Sequence, residues 1–291
     1  MSERPSSVRD RMFVGMQHLL PQHLLSRMMH ALAGSRIRPL KNLVIRSFLR
    51  LYPINLAEAV QSDPYGYESF NAFFTRALKP AARPVDPAPE AVISPVDGSV
   101  SQAGRIEQDM LLQAKGIHYP IGELLGGGDD LARQFEGGSF ATLYLAPFNY
   151  HRIHMPLAGT LLRARHVPGD LFSVNAATAA NVPGLFARNE RVACIFDTAV
   201  GPMAVVLVGA LFVGSISLSW AGELPPNRGR SPRELPLGDA AIALQKAAEL
   251  GQFNMGSTVI LLFPAGRAAL RPDLVPGTSV RVGERIATLT P

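Results

Sequence analysis

The sequence predicts an α+β fold, in which N-terminal amphipathic helices are followed by a mainly antiparallel β core. Two observations support this prediction. Apolar residues recur at helical spacing through residues 8–51. Beyond a proline-rich linker at residues 80–89, short β-type runs alternate with glycine, proline and asparagine turns. Helices that come first and strands that come later are typical of the α+β class.

Three helices are expected in residues 1–64, which we treat as one helical segment. Pro21 suits the first turn of the second helix, because that turn tolerates the missing N–H of proline. The apolar residues that recur at helical spacing are Met12, Met16, Leu19, Leu20, Leu24, Met28, Met29, Leu32, Leu40, Leu43, Val44, Phe48 and Leu51.

Residues 65–291 are predicted to form a β-rich catalytic domain. A short helix is expected at about 68–77, and a second at about 239–250, where apolar residues recur at helical spacing. Residues 221–238 are rich in proline, glycine and arginine and are expected to form a mobile loop. The β-type runs are 91–94, 99–106, 110–114, 140–146, 159–167, 192–197, 203–219, 258–263 and 279–289.

Positive charge is concentrated in the predicted N-terminal helices. The net charge is +5, and residues 1–50 hold nine lysines and arginines against two acidic residues. Basic residues interleaved with methionine, leucine and phenylalanine are typical of helices that lie in a membrane interface. The alternative is a helical subdomain that packs on its own protein. The chain has no nucleic-acid recognition motif, so nucleic acid is not an expected partner.

No apolar run is long enough to cross a bilayer as a helix. The longest uncharged one, Met203 to Gly214, is shorter than the roughly 18 to 20 residues that a membrane helix needs. The N-terminus does not have the pattern of a signal peptide. The single cysteine, Cys194, excludes an internal disulfide. We therefore expect a cytoplasmic location.

The candidate for covalent chemistry is Ser257, which follows Gly256 and precedes an apolar run rich in β-branched residues. Because that run predicts a buried strand, the serine lies where a turn enters a rigid element. Ser257 is then either a nucleophile activated by a nearby base or a hydroxyl that attacks the Gly256 carbonyl and cuts the chain. An ordinary Gly-Ser turn is the alternative interpretation.

Two other stretches supply an acid and a base. Asp97 precedes a glycine between strand-like runs, and it is either a hairpin residue or a carboxylate that orients a histidine. His151 and His154 lie between two prolines, which leave little room for a helix that would aim both rings at a metal ion, and we predict no metal. Asp97, His154 and Ser257 supply the members of an acid–base–nucleophile set, although the sequence alone does not show that they meet.

These residues lie in segments that closely resemble the pyruvoyl-dependent phosphatidylserine decarboxylases of the bacterial membrane-associated type. The matching segments run in order from about residue 65 to residue 263. They are FNAFFTR (70–76), PVDG (95–98), QAKG (113–116), YHRIHMP (150–156), PGDLFSVN (168–175), NVPGLFARNER (181–191) and MGST (255–258). Family members often have leucine or phenylalanine where this chain has Met255.

The resemblance implies a proenzyme that processes itself. Asp97 would orient His154, and His154 would remove the proton from Ser257. The hydroxyl would attack the Gly256 carbonyl to give an ester, and β-elimination would leave dehydroalanine. Hydrolysis would then produce a pyruvoyl group at the N-terminus of a small chain, 257–291, beside a large chain, 1–256.

The resemblance also implies the reaction and the partners. The amine of phosphatidylserine would form a Schiff base with the pyruvoyl group, carbon dioxide would leave, and phosphatidylethanolamine would be released. His151 is the candidate proton donor. The basic helices would hold the enzyme on anionic lipid at the cytoplasmic face of the cell membrane, as a peripheral protein and a homodimer.

Two other functions are compatible with the residues. One is a serine hydrolase that uses Asp97, His154 and Ser257 on an external substrate, although the Gly-x-Ser-x-Gly elbow is absent around this serine. The other is a non-enzymatic membrane-binding β module. Only the decarboxylase is expected to split its chain before Ser257, so chain integrity separates the three hypotheses.

Overall fold

Three long helices open the chain in the computed structural model, which describes residues 7–127, 129–212, 215–224, 229, 231–255 and 257–290. They are α1 (Val8–Leu19), α2 (Gln22–Gly34) and α3 (Arg38–Leu51). Ser7 and Asp10 begin α1 with a capping box, in which each side chain accepts a hydrogen bond from the other's backbone N–H. The three predicted N-terminal helices are therefore present. No described helix has the length and apolar character that a membrane span requires.

The remaining helices have only four or five residues each. They are α4 (Phe70–Phe74), α5 (Ile121–Leu124), α6 (Asp129–Arg133), α7 (Ala176–Ala179) and α8 (Leu185–Arg188). The predicted helix at about 68–77 corresponds to α4 and is shorter than expected. Ser69 caps it by accepting the N–H of Ala72.

The strands follow the N-terminal helices, as the α+β prediction requires. They are β1 (Ala91–Ile93), β2 (Gly98–Arg105), β3 (Met110–Ala114), β4 (Ile117–Pro120), β5 (Ser139–Tyr144), β6 (Arg152–His154), β7 (Gly159–Val167), β8 (Arg191–Thr198), β9 (Gly201–Val208), β10 (Ile216–Leu218), β11 (Gly222–Leu224), β12 (Arg233–Glu234), β13 (Ala243–Leu244), β14 (Glu249–Phe253), β15 (Thr258–Phe263), β16 (Ala268–Leu270), β17 (Ser279–Val280) and β18 (Arg285–Leu289).

The largest sheet is antiparallel and has the order β12-β7-β8-β9-β15-β5-β2-β17, with β13 also paired to β7. A second sheet, β11-β10-β14-β6, and a third, β1-β18-β16, pack beside it. Strand β15 is central and buried on both faces. Val259 and Leu261 belong to one hydrophobic cluster, whereas Ile260 and Leu262 belong to another. Burial on both faces explains why the β15 sequence is continuously apolar instead of alternating.

Two expectations about secondary structure are wrong. The helix predicted at about 239–250 is absent, and the segment holds β13 and the start of β14. Ala247 has a φ of 67°, which is incompatible with a helix, and Leu250 is fully buried as part of a strand. The run predicted at 203–219 is two strands, β9 and β10, that belong to different sheets.

The remaining boundaries differ from the predictions because of turns. The run at 279–289 is divided between β17 and β18 around Gly283, whose φ is 89°. Residues 221–238, predicted as a loop, include β11 and β12; residues 225–228 and 230 lie outside the described residues.

Candidate active site

Ser257 lies directly before the central strand β15, where the sequence places it. Its side chain is fully buried, and its carbonyl accepts the N–H of Leu145 at 2.9 Å. The Oγ atom has no hydrogen-bond partner among the described residues. Gly256, the other side of the predicted cleavage site, lies outside them. A buried hydroxyl without a partner is costly, and a role in chemistry is one reason for such a position, although the hydroxyls of Thr142 and Thr258 in the same sheet also lack a described partner.

The backbone before Ser257 is strained. Met255 has a φ of 98°, in a region that residues with a side chain rarely adopt. Such a conformation costs on the order of 1–3 kcal/mol and persists only when the surroundings enforce it. The Met255 side chain packs against the cluster of Phe70, Phe73 and Phe74, which holds it in place.

Asn254 anchors the other end of this turn. Its backbone N–H donates to the Ser215 carbonyl at 3.0 Å, and its Nδ2 donates to the hydroxyls of Ser215 at 2.7 Å and Ser217 at 2.9 Å. Its Oδ1 accepts Nδ2 of Asn71 at 3.1 Å. The strained turn is therefore fixed on one side by these bonds and on the other side by β15.

His151 lies at the end of the loop that leaves β5. Its ring stacks on Phe74 with centroids 4.0 Å apart and an interplanar angle of 22°. Nε2 is 3.3 Å from the Pro147 carbonyl, whereas Nδ1 has no partner among the described residues. Burial lowers the pKa of His151 to about 3, and the Arg76 charge adds to that shift. The ring is therefore neutral near pH 7.

His154 ends β6 and has a partner at each ring nitrogen. Nδ1 lies 2.8 Å from the Ala247 carbonyl, and Nε2 lies 3.0 Å from the Tyr150 hydroxyl. Because a carbonyl only accepts, Nδ1 carries the proton and Nε2 accepts from Tyr150. Burial lowers the pKa of His154, so this ring is also a neutral base.

Asp97 is held by an arginine that the sequence analysis did not select. Nε of Arg83 lies 2.9 Å from both carboxylate oxygens, and the Val282 N–H donates to Oδ1 at 3.0 Å. Arg83 also pairs with Glu58 at 2.9 Å. The carboxylate is therefore bound by charge-assisted hydrogen bonds and is nearly buried.

The three predicted residues form no hydrogen-bonded relay in the part of the chain that the structure describes. The backbone N–H of His154 donates to the Pro95 carbonyl, two residues before Asp97. No hydrogen bond joins Asp97 to His154, or His154 to Ser257, in the described part of the chain. Because both His154 nitrogens are engaged, a relay requires that Ala247 and Tyr150 give up their bonds. The triad and the donor role of His151 stay predictions.

Several residues of this site were missed by the sequence analysis. Tyr150 and Phe74 lie inside matched segments. Tyr150 precedes His154 by four residues, and this spacing indicates a hydrogen bond only when the backbone conformation is known. Arg83 lies in the proline-rich linker, which composition alone marks as a spacer.

A cavity of about 280 Å³ reaches this site from the side of α3. Its wall is mostly apolar and includes Phe74, which stacks on His151, and Met255 of the strained turn. The lining residues are Phe48, Tyr52, Phe74, Tyr144, Leu145, Pro147, Ser173, Val174, Ala210, Leu211, Phe212 and Met255. The cavity offers an apolar approach to the turn before the buried Ser257 and to the Phe74 ring that stacks on the neutral His151.

The chain is similar to proteins of one family along almost its whole length. The family model described as phosphatidylserine decarboxylase matches residues 70–288, and a second model, described as PSD, matches residues 12–53. A phosphatidylserine decarboxylase proenzyme of Marinobacter nauticus is 52% identical over 281 residues, which cover 96% of this chain and 98% of that protein. The proenzymes of Azotobacter vinelandii, at 53% identity (96% and 98% covered), and Methylococcus capsulatus, at 52% (94% and 95% covered), are comparably similar.

Proposed function

The chain belongs to the phosphatidylserine decarboxylase family, and we propose that it is a self-processing proenzyme that converts phosphatidylserine to phosphatidylethanolamine. The observation that carries this proposal is the state of Ser257. Its hydroxyl is buried, has no described partner and follows a strained turn. A serine that is closed off from solvent suits attack on its own chain better than attack on an external ester.

The self-cleavage uses groups on this chain alone. Ser257 Oγ bonds to the Gly256 carbonyl carbon, the Gly256–Ser257 C–N bond breaks, and the proton of the hydroxyl passes to the freed amine through His154. Elimination of the ester and hydrolysis of the dehydroalanine, with loss of ammonia, leave a pyruvoyl group on residue 257. Strain at Met255 favours the step because cleavage releases it.

The residues around Ser257 suit such a group. Its carbonyl is held by Leu145, and residues 258–263 remain bound between β5 and β9, so the new N-terminus of chain 257–291 stays in place. A pyruvoyl group supplies the electron-accepting carbonyl that decarboxylation of an amino acid needs. His151 has an open Nδ1 and a ring fixed by stacking, which supports its proposed role as the proton donor.

The N-terminal helices provide the route to the membrane in this proposal. Two of their glutamines bind the rest of the protein: the buried Gln17 accepts the N–H of Ser173, and Gln22 accepts the N–H of Leu171. Large apolar side chains are exposed, among them Met12, Leu19, Met28, Leu43 and Leu51, and so are arginines such as Arg27, Arg46 and Arg50. Exposed apolar and basic side chains on the same helices suit an interface with anionic lipid, with the protein peripheral at the cytoplasmic face.

Vesicle flotation tests the membrane surface. A variant with Met12→Ser, Leu19→Ser and Met28→Ser is expected to keep its fold and to lose at least tenfold in binding to anionic vesicles, because each apolar side chain contributes about 1.5–3 kcal/mol when fully buried. Leu162→Ser, at an exposed position on β7, is the matched control and is expected to bind normally. Equal vesicle binding by the triple variant and the control would contradict the proposal that these helices contact the membrane.

Light scattering of the mature enzyme tests the proposed homodimer.

Intact-protein mass spectrometry tests the self-cleavage. The wild-type protein is expected to give two chains, broken between residues 256 and 257, with a pyruvoyl mass on the smaller one. Ser257→Ala is expected to give one folded, inactive chain. Ser279→Ala is the matched control, because this serine is exposed and belongs to the same small chain. A folded wild-type protein that remains uncleaved would contradict the proposal.

A further inference from the structure

Arg76 is a buried cation that pairs with no carboxylate in the described part of the chain. It follows α4 and is only 4% exposed. Its Nη1 lies 3.5 Å from the Phe74 carbonyl, and its Nη2 lies 3.3 Å from the Phe148 carbonyl and 3.5 Å from that of Asn149. Its Nε has no hydrogen-bond partner, and no ion pair joins it to an acid among the residues that the structure describes. These contacts are at the long end of the hydrogen-bond range and leave the Nε–H unused.

Arg191 shows how this fold treats an arginine whose role is structural. It is 3% exposed and also lacks a carboxylate partner in the described chain. However, its Nε donates to the Leu124 carbonyl at 2.7 Å, its Nη1 donates to the Asn189 carbonyl at 2.7 Å, and its Nη2 donates to the backbone carbonyl of Glu123. Three short bonds, one from each nitrogen, compensate its burial. The bonds of Arg76 are longer, and its Nε has no described partner, so its burial is less well compensated than that of Arg191 unless an anion binds there.

The position of Arg76 is next to the candidate active site. Phe74, two residues earlier, stacks on His151, and the carbonyls of Phe148 and Asn149 belong to the loop that ends at that histidine. The Arg76 charge acts on the His151 ring strongly enough to contribute to its lowered pKa. An anion bound by Arg76 would therefore lie within electrostatic reach of the catalytic groups.

We propose that Arg76 binds the phosphodiester of the substrate head group; this assignment rests on the proposed decarboxylase function. The head group brings two anions, a carboxylate and a phosphodiester. The carboxylate leaves as carbon dioxide, and a cation that holds it would stabilise the ground state more than the transition state. The phosphodiester keeps its charge throughout the reaction, and a guanidinium matches its oxygens in a bidentate geometry.

This pairing also has a consequence for His151. In the uncleaved chain the Arg76 charge opposes protonation of that ring. A bound phosphodiester offsets the charge, so arrival of the substrate would ease protonation of the proposed donor at the time when a proton is needed.

The test compares two substrates that differ only in the phosphate. Phosphatidylserine and a phosphate-free diacylglycerol ether of serine are presented to the mature enzyme in mixed micelles. Wild-type kcat/KM is expected to favour phosphatidylserine. Arg76→Met is expected to reduce that preference about tenfold to a hundredfold, chiefly through KM, because the contact is made equally in ground and transition states. Arg76→Lys is expected to restore part of it.

Two readouts are independent of turnover. Arg76→Met and Arg76→Lys are expected to cleave themselves, because no phosphate takes part in that step, and mass spectrometry checks this. Calorimetric titration with glycerophosphoethanolamine is expected to show binding to the wild-type enzyme and at least tenfold weaker binding to Arg76→Met. Arg191→Lys is the matched control; it is expected to lower the yield of folded protein without changing the preference between substrates.

The results separate this proposal from the proposed function. An unchanged preference in both Arg76 variants, or an equal loss on both substrates, would overturn the assignment and leave Arg76 as a support of the 148–149 loop. A wild-type enzyme without any preference for the phosphate would also overturn it, with the decarboxylase intact. A wild-type enzyme that acts on neither lipid would reject the decarboxylase function itself.

Discussion

The loop at 145–151 and the strand β6 hold two histidines three residues apart in opposite ways. The ring of His151 is fixed by stacking on Phe74, and one of its nitrogens is open. The ring of His154 is fixed by hydrogen bonds at both nitrogens. An open nitrogen is available to a ligand at once, whereas an engaged nitrogen must first exchange a partner. This contrast is what the proposed division of roles requires, in which His151 serves the substrate and His154 serves cleavage of the chain itself.

The largest effect is expected from removing each histidine separately. His154→Ala is expected to stay uncleaved, because Ser257 loses its base. His151→Ala is expected to cleave normally and to lose at least about a hundredfold in decarboxylation, in line with the usual contribution of general acid–base catalysis. Intact mass and release of carbon dioxide measure the two outcomes. If His151→Ala remains intact, that residue takes part in self-cleavage and the division of roles is wrong.

The second effect concerns stability at acidic pH and also separates the two histidines. His151 has a pKa of about 3 in the folded chain, because of its burial, and about 6.5 when unfolded. Above pH 6.5 both states are neutral and the residue contributes no pH dependence. Between pH 6.5 and pH 3 only the unfolded state binds the proton. The free energy of unfolding therefore falls as the pH falls, by up to about 1.4 kcal/mol per pH unit from this residue.

Urea denaturation of the Ser257→Ala protein, which remains one chain, measures this slope. His151→Gln in that background is expected to reduce the slope of unfolding free energy against pH by the amount that corresponds to about one bound proton. A residual slope is expected because burial also lowers the pKa of His154. An unchanged slope in His151→Gln would mean that the ring is hydrated and not buried among apolar groups.

The sequence predicts these two regions unequally. The β15 strand, Ser257 and the two histidines are local in the sequence, so apolar runs and short motifs identify them. Other contacts that fix these side chains join residues distant in the sequence: His151 stacks on Phe74, His154 contacts Ala247, and Asp97 contacts Arg83 and Val282. The helix predicted from the apolar pattern at about 239–250 is also wrong. Glu249 pairs with His154 of β6, so the chain forms strand β14 from this residue on. In this segment, strand pairing in the tertiary structure outweighs the local preference for a helix.

The smallest effect, and the sharpest test of partner exchange, is expected from Tyr150→Phe. Burial raises the pKa of Tyr150 to about 12, so the hydroxyl stays protonated and donates to His154 Nε2. That nitrogen is the one that must receive the Ser257 proton, since Nδ1 already carries one. A neutral hydrogen bond is worth about 0.5–1.5 kcal/mol net, so its removal is expected to speed self-cleavage by about twofold to tenfold.

Rapid dilution from denaturant, followed by mass spectrometry at timed intervals, gives the cleavage rate. Tyr65→Phe is the matched control, because Tyr65 is exposed and its hydroxyl makes no described hydrogen bond. A slower rate in Tyr150→Phe would mean that the hydroxyl relays the proton between Ser257 and His154. In that case His154 would keep its hydrogen bond to Tyr150 during self-cleavage. The two histidines would then differ in the length of the path that the proton follows, and not in whether a ring nitrogen is available.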